Sequence, residues 1–74
     1  MKQKTAETIL KENIHAWGEE KKVFFASQEE IIILFSEGAT VILLNHDNGD
    51  GTYNHELSYN GYMFKCSTSI LIEK

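Results

Sequence analysis

The chain of 74 residues predicts an α+β domain: an N-terminal amphipathic helix packed on a small antiparallel β-meander of three or four strands. Three observations carry this. An apolar stripe recurs at helical spacing over 6–17. Asn60-Gly61 stands between two alternating runs, the strongest short-range hairpin signal. A hydrophobic fraction of 42% with 11% aromatics suits a folded globule.

Residues 1–4 read as a frayed start. Thr5 can cap a helix, and Ala6, Ile9, Leu10, Ile14 and Trp17 then recur at three- and four-residue steps. Gly18 is a natural left-handed stop. Glu19 to Lys22 is a solvated connector, and Val23-Phe24-Phe25-Ala26 reads as a short strand. The stretch 28–37 has two readings. Ser27-x-x-Glu30 has capping-box spacing and Gly38 is a stop, which favours a second short helix. The run Ile31-Ile32-Ile33-Leu34-Phe35 is rich in β-branched and aromatic residues, which favours an extra strand. Thr40–Asn45 is a strand on either reading, and 46–51 is a turn with Asn48-Gly49 at its corner.

Thr52–Tyr59 and Tyr62–Ile72 flank the Asn60-Gly61 turn. A two-residue turn there sets Tyr59 against Tyr62, Leu57 against Phe64, His55 against Cys66 and Tyr53 against Thr68 on one apolar face. Glu56 meets Lys65 on the polar face. Extending the register through Asn48-Gly49 places Leu44 opposite Tyr53 and Ile42 opposite His55. Val41 and Leu43 then join Met63 as an apolar island on the polar face. A domain this thin cannot bury both faces of its sheet alone, so that island needs the second helix or another chain.

Size and charge narrow the function classes. A chain of 8.5 kDa keeps roughly 4,700 Å² exposed, which leaves one thin core and little room for a deep cleft. Eleven acids oppose seven bases, and every base is lysine. An acidic chain without arginine is a poor nucleic-acid binder, because affinity there comes largely from neutralising phosphates. No apolar run approaches the ~18 residues that cross a bilayer, and no leader opens the chain. The single Cys66 rules out an internal disulfide and fits a reducing cytosol.

No constellation reads as catalytic. His55 opposite Cys66 resembles a base beside a thiol, but no third group orients the histidine. The 47–51 segment looks like a calcium loop until the donor positions are counted, and neither register supplies the acid at position twelve. His15, His46 and His55 are scattered, so neither a metal nor a cofactor is expected. Tyr53, Tyr59, Tyr62 and Phe64 lack the basic groove of a single-strand binder. The densest acidic region is Glu29, Glu30 and Glu37, with Glu19 and Glu20 upstream.

These readings favour a small acidic protein-binding module that acts stoichiometrically by steric occlusion and not as an enzyme. Its expected contacts are Glu29, Glu30, Glu37, Val41, Leu43, Met63, Tyr59 and Tyr62, and its expected partner is a larger host protein with a basic surface. The alternatives are a homodimeric accessory module and a small-molecule or metal binder using His55, Cys66 and the tyrosines. The composition, leaning to isoleucine, lysine and asparagine, looks like that of accessory reading frames of phages and mobile elements, which suggests an inhibitor of a host or defence enzyme.

Overall fold

Thr5 starts the first helix. Its Oγ1 accepts a hydrogen bond from the Thr8 N–H (3.2 Å), and α1 runs over Ala6–Trp17 in the computed structural model, which describes residues 4–73. The rest of the expected frayed start, residues 1–3, lies outside the described residues. Lys4 is paired, its Nζ lying 3.0 Å from Glu12 and 3.4 Å from Glu30. Ala6, Ile9 and Leu10 are buried and Ile14 is half-buried, as the stripe predicts. Trp17 departs from it, at 64% exposed. The Lys21 ammonium sits 4.9 Å above its ring, a cation–π contact on an open surface.

Strand β1 (Val23–Phe25) buries Phe24 and leaves Val23 and Phe25 outside. The 28–37 stretch is a helix, α2 (Gln28–Ser36). Its capping box closes both ways: the Glu30 N–H donates to Ser27 Oγ (3.2 Å), and the Ser27 N–H donates to Glu30 Oε1 (3.0 Å). The β-branched run costs χ1 freedom. Burial of Ile31 and Leu34, both 0% exposed, and the satisfied first turn outweigh that cost.

Strands β2 (Thr40–Asp47), β3 (Tyr53–Tyr59) and β4 (Tyr62–Thr68) form the expected antiparallel meander. The sheet order is β1-β4-β3-β2, and β1 joins β4 in parallel, so the whole sheet is mixed. β1 and β2 therefore run in the same direction at opposite edges, and α2 connects them across β3 and β4. α2 packs on β3 and β4 over the sheet face carrying Phe24, Phe64, Leu57 and His55, α1 packs against α2, and Ala6, Ile9 and Leu10 of α1 complete the same core. Ile9, Phe24, Ile31, Leu34, Leu57 and Phe64 are fully buried there, each worth about 1.5–3 kcal/mol against exposure. The result is a slab of 34 × 29 × 18 Å with 5051 Å² exposed.

The β3–β4 register agrees with the sequence reading at every pair from Tyr59↔Tyr62 to Tyr53↔Thr68. Asn60 and Gly61 have φ +51 and +81, as a two-residue turn of the primed kind requires. The β2–β3 register does not agree. Asp47 pairs with Tyr53, so 48–52 is a five-residue loop with no two-residue corner at Asn48-Gly49. Side chains build it: Asp47 Oδ1 accepts from the Gly49 N–H (2.8 Å), and Asp50 Oδ1 accepts from the Thr52 N–H (3.0 Å). Two irregularities then break the ladder between Val41 and Leu43 and between Leu43 and His46. Each leaves an extra residue on β2, but it is the longer loop, by giving Tyr53 to Asp47, that takes Leu44 away from Tyr53 and Ile42 away from His55.

The last strand is also shorter than the sequence predicts, ending at Thr68 and not at Ile72. Thr68 Oγ1 accepts from the Ile70 N–H (3.2 Å), turning the chain. Ile72 then enters the core at 4% exposure.

Candidate protein-interaction surface

Alternation along each strand decides what the second sheet face carries, because successive side chains point to opposite sides. Below the buried row of Phe24, Phe64 and Leu57, the registers align Val23, Met63, Ser58 and Thr40 in one row across the four strands. A second row holds Phe25, Lys65, Glu56 and Leu43. No described element covers these rows. Phe25 is 79% exposed, and Val23, beside it at the edge, is exposed as well. Met63 and Leu43 are half-buried. A shallow depression of about 180 Å³ lies along the face, lined by Phe25, Asn54, Glu56, Lys65 and Ser67 among others. Lys65 and Glu56 lie 3.9 Å apart, which leaves the centre of the face without net charge.

The expected contact residues do not gather on this face. Leu43 and Met63 are on it. Val41 is not: it registers with Leu57, on the helix-covered side, and is 43% exposed at the β2 edge. The first irregularity of the β2 ladder is the cause. Glu29, Glu30 and Glu37 belong to the helix layer. Glu30 serves the capping box and Lys4, and Glu37 Oε1 accepts from the Ala6 N–H (3.1 Å), so it tethers α1 to the end of α2. Only Glu29 of the three has neither role. Tyr59 and Tyr62 also lie on the helix side. Tyr62 stacks on Phe24 with centroids 5.7 Å apart, its hydroxyl donates to the Glu19 carbonyl (3.3 Å), and Lys22 Nζ lies 4.5 Å over its ring. These contacts make it a packing residue that seals the end of the core.

Phe25 and Val23 were not among the expected contacts. The signal was present: in a strand Val23-Phe24-Phe25, two adjacent phenylalanines cannot share one face.

The His55–Cys66 pair is real as a cross-strand pair and sits on the core side. His55 is fully buried, and its Nδ1 accepts from the Asn45 N–H (3.0 Å). Burial pushes the imidazole below its ordinary pKa, and the Ile70 backbone, the smaller influence, pulls the other way. Burial, with Glu30 nearby, pushes the Cys66 thiol up. A thiol held protonated is a weak nucleophile. Among the described residues no group of three or more His, Cys, Asp and Glu side chains is placed to hold a metal ion. No described helix is long and apolar enough to cross a membrane. No protein-family model, curated protein or solved structure matches this chain, so its functional reading rests on its own residues.

Proposed function

We propose that this chain is a protein-binding module that acts stoichiometrically, through the uncovered face of its sheet. One observation supports the reading above the others: Phe25 stands 79% exposed beside Val23 on a sheet face that neither helix covers. Large exposed apolar side chains grouped on one surface mark interaction sites more often than scattered ones do. Phe25 is the anchor, Val23, Met63 and Leu43 extend the apolar floor, and the hydroxyls of Ser58, Thr40 and Ser67 supply its polar margin. The mechanism is occlusion of a partner's surface, with no bond made or broken. The acids of α2 lie on the other layer, so they steer a basic partner only at long range. The likeness to phage accessory frames makes a host or defence enzyme the partner class to test first, and the lone thiol of Cys66 suits a cytoplasmic setting.

Affinity capture from host lysate tests this with the wild-type chain and a Val23→Ser, Phe25→Ser double variant. The expected result is one partner, recovered in equimolar amount by the wild type and lost with the double variant. Recovery of nothing by the wild type, or the same partner by both proteins, would overturn it.

The neutrality of the Lys65–Glu56 centre favours a second reading, in which two copies stack these faces. Each Lys65 then meets a Glu56 of the other copy without net repulsion. Sedimentation at high concentration decides it: a mass of 8.5 kDa throughout eliminates the dimer.

A further inference from the structure

One side chain holds the C-terminal tail. The Ile72 N–H donates to Asn45 Oδ1 (2.8 Å), and the Ile72 carbonyl accepts from Asn45 Nδ2 (2.9 Å). Asn45 thus gives the tail the pair of bonds that a neighbouring strand would supply. Asn45 itself has φ +58, at the second irregularity of β2. Its N–H is taken by His55 Nδ1 at 3.0 Å. An imidazole that accepts at Nδ1 is neutral and carries its proton on Nε2. That nitrogen makes no hydrogen bond of good geometry among the described residues, the Ile70 backbone being the group that acts on the ring besides Asn45.

We infer that His55, Asn45 and Ile72 form a proton-operated latch on the C-terminal tail. The neutral ring fixes the Asn45 backbone, the Asn45 side chain fixes Ile72, and a second proton on the ring undoes both. A protonated imidazole turns Nδ1 into a donor facing the Asn45 N–H. The bond is lost, and a cation is left at a position with no solvent exposure. The open state, with the ring in water, relieves both penalties.

The sign follows from linkage. The closed state binds a proton less readily than an exposed imidazole, whose pKa is about 6.5. Below that pH the open state takes up more protons. The latch is therefore fully closed above pH ~6.5 and weakens steadily as the pH falls toward the lowered value of the buried ring. The other titratable groups around the latch are Cys66 opposite on β4, Glu30 on α2, His46 and Asp47 after Asn45 on β2, and Glu73 after Ile72. His46 is the other imidazole of the group, so His46→Gln is the control.

Amide exchange followed by NMR on the full chain between pH 7.5 and 5.0 tests the latch, alongside the ring-nitrogen shifts of His55. After correction for intrinsic exchange, protection at Ile72 should fall up to about ten-fold per pH unit below 6.5, in step with His55 protonation. The amides of Leu57 and Phe64 should keep theirs, and His46→Gln should change nothing. A ring that titrates without effect at Ile72 would overturn the latch. So would protection at Ile72 that stays constant down to pH 5.0, a response abolished by His46→Gln, or an equal loss at Leu57 and Phe64.

Discussion

The two hairpins of this sheet share the central strand β3 and differ in how their registers are set. The β3–β4 hairpin is regular over seven pairs and is governed by two turn residues, Asn60 and Gly61. The β2–β3 hairpin has a five-residue loop and two ladder irregularities. Its geometry answers to partners remote in sequence: Asn45 reaches His55 by its backbone and Ile72 by its side chain. A tight turn transmits its register along the ladder because each pair fixes the next. A ladder interrupted twice loses that transmission, and tertiary contacts take over. The irregularities also roughen an exposed edge strand, which protects it from pairing with other chains.

Substitutions at the two controlling positions sharpen the contrast. Asn45→Ala removes two hydrogen bonds to Ile72 and places a residue with a Cβ at φ +58 without a compensating polar side chain. It should cost about 2–4 kcal/mol in urea unfolding, with lost amide protection at Ile72. Asn45→Gly keeps the backbone freedom and should cost less, so the difference between the two isolates the backbone contribution. Gly61→Ala meets no neighbouring atoms, and only its φ of +81 is at stake. A cost of about 1–2 kcal/mol is expected, with the β3–β4 pairing pattern unchanged in NMR. If Gly61→Ala shifted that pattern and Asn45→Ala did not, the proposed division of control would be reversed. The smallest effect belongs to the polar face. Lys65→Thr removes a partly exposed ion pair of 3.9 Å and should change the unfolding free energy by less than about 0.5 kcal/mol.

The legible parts of the fold are those whose causes are local. Ser27 and Glu30 sit three residues apart and satisfy each other's backbone, so the spacing alone pointed to α2. The alternation of Leu57, His55, Phe64 and Cys66 around Asn60-Gly61 fixed both faces of the second hairpin. The surface was less legible. Leu43 and Met63 were expected on the uncovered face and are there. Val41 was expected beside them, but a bulge carries no strong sequence mark and moves it to the Leu57 row. The sequence leaves the acids at 29, 30 and 37 free to rim an apolar patch. Glu30 and Glu37 have structural partners at Ser27, Lys4 and Ala6, and Ala6 lies 31 residues away from Glu37.

Composition and short-range chemistry thus determined the α+β class, the first helix and the regular hairpin, because their stabilising contacts close within a few residues, while the choice of helix over strand at 28–37 was left to the burial of Ile31 and Leu34. Only the tertiary structure decided the parallel pairing of β1, the course of the tail after Thr68 and the bare sheet face under Phe25. Each depends on which distant segment wins a place on the core, and packing across the whole slab settles that competition.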